Sequence, residues 1–457
     1  MIPELLASQK TYFKTGETKS LSFRKTVLKR LRIELIKRED AISSALHKDF
    51  KKPVFESYAT EIAMVISELD LTIKKLKRWA KPKRVTPSLL NFPSSSKIYS
   101  EPYGNTLIIS PWNYPYQLAL APLVAAIATG NTVILKPSEL TPNTANIIEE
   151  IITAVFAPNH VSVIKGGVPV STALLAERWD YIFFTGSVFV GKIIAKAAAE
   201  HLTPVTLELG GKNPCIIDET VNIKLTAKRI VWGKFINAGQ TCIAPDYILI
   251  HKSVKEEFYK ALEKEIELAY SNTPKQSEDF ARIVNDKNFN RLAKMLHNET
   301  CVIGGQTDIN SLYVAPTIID EPKLDSEVMK NEIFGPILPV ISYENISEID
   351  AVISNYEKPL SLYVFSNNAS KSKALINKFS FGGGAINDTV VHFINHKLPF
   401  GGVGNSGIGA YHGKLSFDTF SHKKGVVKKA NWLDLPFRYA PYKGKLKQIK
   451  LLFKWLS

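Results

Sequence analysis

Cysteine is scarce in this sequence: Cys215, Cys242 and Cys301 stand far apart among 457 residues, with no C-x-x-C pair. That spacing excludes a disulfide framework and a zinc finger, and it points to a reducing compartment in which a single thiol stays free for chemistry. Long apolar runs are also lacking. The most apolar stretch, residues 118–129, contains Pro122 and falls short of the roughly 20 residues that a membrane-spanning helix needs, so a buried helix is expected. The first residues have neither a basic start nor an apolar run, so no secretion signal is expected and a cytoplasmic location follows. Acidic residues are in deficit, with 43 Asp and Glu against 58 Lys and Arg and a net charge of +15. Such a surface can attract nucleic acid, anionic membranes or small anions. Lysine is spread along the whole chain, however, which fits solvated helix faces, and no nucleic-acid partner is expected.

What is present is ordinary for a folded enzyme: 45% apolar and 22% charged residues, in a chain long enough for two or three domains. Residues 21–46 and 54–79 carry apolar residues at helical spacing, with Pro82 as a stop. Residues 87–96 are rich in proline and serine and read as a linker. From residue 97 onward, short β-type runs (106–110, 132–136, 161–165, 181–184, 205–209) alternate with helical stretches, the pattern of a parallel sheet covered on both faces. A second strand-helix series starts near Gly210–Gly211, at 215–217, 225–237 and 247–251, and continues at 337–342 and 360–365. Sheets of this kind bind ligands at the carboxyl ends of their strands.

Four local patterns could carry chemistry. Phe184-Thr185-Gly186-Ser187-Val188-Phe189-Val190-Gly191 takes a strand into a glycine turn and a helix, where free amides suit a phosphate. A strand-helix turn needs glycine for steric reasons too, so the pattern alone is weak. Leu135-Lys136-Pro137-Ser138-Glu139 places Lys136 and Glu139 where they could hold a ribose, although Ser138 could equally be a helix cap. Gly239-Gln240-Thr241-Cys242 sets a thiol in a turn of small residues; an isolated cysteine is more often buried and structural. Leu207-Glu208-Leu209-Gly210-Gly211 puts a carboxylate inside an apolar strand, where burial raises its pKa toward that of a general base.

Seven segments occur in order: SPWNYP at 110–115, LKPSE at 135–139, FTGSVFVG at 184–191, LELGGK at 207–212, GQTC at 239–242, EIFGP at 332–336 and LPFGG at 398–402. Together they closely resemble the aldehyde dehydrogenase superfamily, and SPWNYP and GQTCIAPDY look most like its class 3 and fatty-aldehyde branch. The resemblance implies an α/β, aldehyde dehydrogenase-like fold with a Rossmann-type NAD(P)-binding domain (1–82 and 101–209). It further implies an α/β catalytic domain (210–396) and a small bridging, oligomerisation element (83–100 and 397–430), with a basic amphipathic tail at 431–457. By the same resemblance Cys242 attacks the aldehyde carbon, in surroundings that must favour its thiolate. The Asn113 amide and the Cys242 backbone N–H hold the oxyanion, and Glu208 or Glu332 activates water to hydrolyse the thioester. Lys136 and Glu139 are matched to the adenosine ribose, and Gly186, Ser187, Val188, Phe189, Val190 and Gly191 to the pyrophosphate. Glu332, Phe334 and Phe400 are matched to the nicotinamide end. The expected cofactor is NAD, with NADP also admitted, and the expected assembly a homodimer.

Medium- to long-chain aliphatic aldehydes are favoured over aromatic ones by the same branch. The rivals are a coenzyme A-acylating or acyl-phosphate-linked dehydrogenase, and a non-catalytic basic binding protein on this fold. His392 and His396 stand at an i, i+4 spacing, but no glutamate of an H-E-x-x-H motif accompanies them, so no metal site is expected. In the tail, Leu446, Ile449, Phe453 and Leu456 share one helical face, with Lys447, Lys450 and Lys454 on another. A docked or lid-like helix ranks ahead of peripheral membrane contact.

Overall fold

Leu28, Leu31 and Leu35 recur at helical spacing and are fully buried, which is why the amino-terminal region folds as helices against the rest of the chain. The computed structural model describes residues 2–434 and 436–456. The expected single run at 21–46 is two helices, Leu21–Lys37 and Glu39–Phe50. They part at Arg38, whose guanidinium bonds Glu34 at 2.5 Å and Glu150 at 2.7 Å. Residues 54–79 form one continuous helical path that widens into a π turn at Tyr58–Ile62.

The first sheet has six strands, in the order Gly407–Ile408, Val205–Glu208, Tyr181–Thr185, Asn105–Ile109, Thr132–Lys136, Val161–Val163. All pair in parallel except Gly407–Ile408. Residues of the central strands are buried on both faces, as parallel sheets require. One cover is Gln117–Thr129, buried at every position, the helix expected from the most apolar run.

A second sheet has seven strands, in the order Cys301–Ile303, Thr317–Asp320, Ile337–Tyr343, Tyr247–His251, Pro214–Ile217, Ser361–Phe365, Gly383–Ile386. Its one antiparallel strand is the edge at Cys301–Ile303.

Two departures from the sequence reading concern a three-stranded sheet and the edge of the first sheet. Part of the proline- and serine-rich stretch is no linker, because Ser94–Pro102 is a nine-residue strand. It pairs with Lys83–Val85 on one side and with Ser421–Lys429 on the other. Its partner is remote in sequence, so composition alone hides it. Gly407–Ile408, expected in the bridging element, instead closes the edge of the first sheet against Glu208.

The tail forms a helix at Leu446–Leu456, with Leu446 and Phe453 exposed and Ile449 half-buried. The side chain of Leu456 lies outside the described residues. Among the described residues no helix is long and apolar enough to cross a membrane.

Candidate active site

The helix Ile223–Phe235 ends in a sharp reversal: Asn237, Ala238 and Gly239 have φ of 55°, 51° and 72°. Three successive left-handed residues are costly, and side-chain bonds hold them. Asn237 Nδ2 donates to the Asn113 carbonyl at 2.8 Å and to the Gln240 carbonyl at 3.1 Å. Asn113 Nδ2 donates to the same Gln240 carbonyl at 3.0 Å. A Cβ on Gly239 would lie 2.2 Å from the Gly335 carbonyl oxygen, so glycine is obligatory and the EIFGP segment is pressed against the turn.

Beyond the turn, Asn213 Nδ2 donates to the carbonyls of Cys242, at 2.7 Å, and Ala244, at 3.0 Å. The Tyr363 hydroxyl donates to the Ile243 carbonyl at 2.6 Å. Cys242 is thereby fixed at both ends, half-buried on the wall of a cavity of about 560 Å³. Burial first, and then the charges of Glu332 and Glu208, push its thiol upward. Contrary to the expectation of surroundings that favour the thiolate, burial and the nearby carboxylates act against ionisation, so the thiol must lose its proton to a neighbouring group as it reacts.

Glu208 closes its strand, is buried on the same cavity, and neither of its carboxylate oxygens has a hydrogen-bond partner. Burial holds it well above the usual carboxylate range. Glu332 lies close by: a Cβ on Gly210 would come within 2.1 Å of its Oε2, which explains the first glycine of LELGGK. Burial pushes Glu332 up to about 8, with help from the Asp246 charge. Asp246 is itself tied down, accepting from Lys212 Nζ at 2.6 Å and from the Ile333 backbone N–H at 2.9 Å.

Several groups here escaped the sequence reading. Lys52 and Glu61 form a fully buried pair at 2.6 Å, and Lys52 Nζ sits 3.9 Å from the Tyr114 ring centroid. Glu61 also accepts from the backbone N–H groups of Tyr116 and Gln117, fixing the helix start that follows Asn113. The signal available was two of several charged residues around Pro53, which does not reveal a partner. Lys234 is buried and lowered to about 8 by burial.

The residues matched to the cofactor lie along the carboxyl ends of the first sheet's strands. Lys136 Nζ pairs with Glu139 at 2.5 Å, the lysine buried and the glutamate facing solvent. Ser187 caps the helix Val188–Ala199, its side chain accepting from the Val190 N–H at 3.4 Å. Phe189 and Val190 are exposed beside that cap, Phe189 by 75%. A Cβ at Gly186 would press on the Phe184 ring and one at Gly191 on the end of Leu209, so both glycines also serve packing. An open helix start, an exposed apolar shelf and a solvent-facing carboxylate fit a phosphate, an adenine and a ribose respectively.

Phe334, at φ 51°, meets Trp112 edge-on with centroids 5.2 Å apart. Phe400 lines the cavity, its ring stacked near those of His392, at 6.1 Å, and His412, at 5.4 Å. His392 is thus an aromatic neighbour of the site. No described residue of the tail lines the cavity.

A nucleotide-type sheet beside a thiol with two buried carboxylates close to it defines a thiol-dependent, dinucleotide-linked oxidoreductase. The chain belongs to the aldehyde dehydrogenase family, whose model matches residues 2–426. It is 49% identical over 456 residues, 99% of each chain, to 4,4'-diaponeurosporen-aldehyde dehydrogenase of Staphylococcus aureus. It is 45% identical to the dimeric NADP-preferring aldehyde dehydrogenase of Rattus norvegicus, covering 95% of this chain and 96% of the relative. Among solved structures, the substrate-bound state of Staphylococcus aureus AldH superposes with a TM-score of 0.97 at 48% identity, covering 99% of both chains. The NAD+ complex of a betaine aldehyde dehydrogenase variant from the same organism superposes at 0.84 with 26% identity, covering 95% and 91%. The activity is NAD(P)-dependent oxidation of aldehydes, and the fold and the class 3 resemblance read from the sequence are those of the family.

Proposed function

We propose that aldehydes with extended apolar tails are oxidised on Cys242, and that Glu208 releases the acid product. The observation that carries this reading is the joint placement of the half-buried Cys242 and the partnerless Glu208 on one apolar cavity. The Cys242 Sγ forms a bond to the aldehyde carbon while its proton passes to a neighbouring carboxylate. Both carboxylates are raised by burial, Glu332 to about 8, which suits proton exchange near neutral pH. The carbonyl oxygen becomes an oxyanion. It meets the Cys242 backbone N–H and the Asn113 amide, which has a second hydrogen beyond the one given to Gln240.

Acceptance of the hydride is the chemistry supplied by bound NAD(P)+, held by Lys136, Glu139, the 186–191 turn, Glu332, Phe334 and Phe400. Glu208 then takes a proton from water as the water oxygen attacks the thioester carbon. The C–S bond breaks, Sγ regains a proton, and the carboxylic acid leaves. Glu208 is preferred to Glu332 as this base because Glu208 lines the cavity and both its oxygens are unengaged.

The domain limits, the homodimer and the tail complete the reading. The outer edge of Ser421–Lys429 has no partner strand among the described residues and exposes Val426 and Val427, which suits pairing with a second copy. The exposed apolar residues of the tail helix, interleaved with lysines, suit peripheral contact with an anionic membrane. The test is aldehyde-dependent NAD(P)H formation, assayed with and without coenzyme A. It should need no coenzyme A and vanish in Cys242→Ala; strict dependence on coenzyme A would replace water as the acyl acceptor.

A further inference from the structure

The ionisable groups lining the cavity are of the type opposite to the excess on the protein around it. Across the chain basic residues outnumber acidic ones, giving +15. On the cavity wall the described lining residues include three carboxylates, Glu56, Glu208 and Asp279, and no lysine, arginine or histidine. Glu208 is assigned to the chemistry above; the other two are not.

Glu56 is half-buried, and its Oε2 accepts from the Asn237 backbone N–H at 2.9 Å. Burial pushes it up to about 7 against the opposing Lys52 charge, so its negative charge is complete only above neutral pH, where the wall is to be tested. Asp279 is solvent-exposed while lining the same cavity, so it stands where the cavity opens. Between and around them the wall is apolar, with Phe55, Met64, Trp232, Ile236, Tyr270 and Ile394. The cations of the neighbouring segments are engaged elsewhere. Lys52 is paired with Glu61 and packed on Tyr114. Arg282 donates to the carbonyls of Phe280, Ala281 and Lys275 and lies over Tyr313.

We infer that Glu56 and Asp279 form an acidic wall that makes this cavity select aldehydes with uncharged tails, reject those bearing a distal carboxylate, and expel its own anionic product. The inference rests on the cavity being the aldehyde site, as proposed above. An apolar wall would by itself bind a chain of methylenes whatever its terminus, once that terminus reached solvent. Carboxylates at the mouth and along the wall add a repulsive element, which is how specificity against a close analogue is commonly built. The same field acts on the product, because the reaction turns a neutral aldehyde into a carboxylate inside the cavity. At separations of several ångströms and an effective dielectric constant near 20, each such charge is worth roughly a factor of ten.

The experiment compares octanal with 8-oxooctanoate for the wild-type enzyme, Asp279→Asn, Asp279→Glu and the double variant Glu56→Gln/Asp279→Asn. The readout is the ratio of the two kcat/KM values, in which any general loss of activity cancels. The ratio should favour octanal by on the order of 100-fold in the wild type, fall about tenfold in Asp279→Asn, and fall further in the double variant. Asp279→Glu should keep it, and added salt should shrink it. Calorimetric binding of octanoate reads the wall without turnover, with tightening of about tenfold expected in the double variant. An equal ratio and equal octanoate affinity in the wild type and the double variant would overturn the inference. Failure of the wild type to oxidise octanal would instead count against the proposed substrate class, and the octanoate measurement would still decide the wall.

Discussion

The two halves of the reacting centre are built by opposite means. The Cys242 turn is over-determined: its neighbours' carbonyls are taken by Asn113, Asn237, Asn213 and Tyr363, and Gly239 leaves no room beside Gly335. Glu208, across the cavity, is held only by its strand, and its carboxylate touches no donor. A nucleophile must meet a carbon at one place, so its position is set by hydrogen bonds. A base must give and take a proton, so it is tuned by desolvation and left unpartnered.

Breaking each half should produce a different failure. Cys242→Ala removes the bond-forming atom, and steady-state oxidation should fall by at least about 10⁴-fold, read as NAD(P)H production. Glu208→Gln should leave the first half-reaction intact. Rapid mixing should then show one burst of NAD(P)H per site, followed by a steady rate lowered about 10²- to 10⁴-fold. Asn113→Ala removes an oxyanion donor, and kcat should fall about 10²- to 10³-fold with no burst.

Asn213→Ala sharpens the comparison from the side of stability. It strips donors from two buried carbonyls and should lower unfolding stability by about 1–3 kcal/mol in denaturant titrations, whereas Glu208→Gln should lower it little or not at all. The smallest effect concerns pH. Glu332 is raised to about 8 by burial, so the stability linked to its proton is full below the unfolded carboxylate pKa. That stability is lost as pH climbs through the range up to about 8. Glu332→Gln, which cannot ionise, should therefore gain in Tm relative to the wild type between pH 5 and pH 9. A constant Tm difference would show that Glu332 is not held protonated.

Much of this was legible in the residues. The strands at 132–136 and 247–251 fall where their apolar runs place them, because a strand buried on both faces must be apolar throughout. The motifs also marked Cys242 and Glu208, which share the cavity, and Asn113 and Glu332, which flank it.

What could not be read was pairing across distance. The start of Ser94–Pro102 lies in the stretch read as a linker because its composition is rich in serine and proline and its partner lies over 300 residues away at Ser421–Lys429. The buried ion pair of Lys52 with Glu61 is close in sequence, but its use depends on Tyr114, Tyr116 and Gln117 arriving from another segment. The raised thiol of Cys242 was misjudged for the same reason. Its pKa is raised by burial first and then by Glu332 and Glu208, groups brought to it from distant parts of the chain.

The central claim is that the acyl group passes through Cys242 and waits there for Glu208. Intact-protein and peptide mass spectrometry of Glu208→Gln, quenched after mixing with octanal and NAD+, tests this directly. The account predicts an octanoyl adduct on the peptide containing Cys242, in proportion to the NADH burst. A burst without an adduct, or an adduct on another residue, would contradict it.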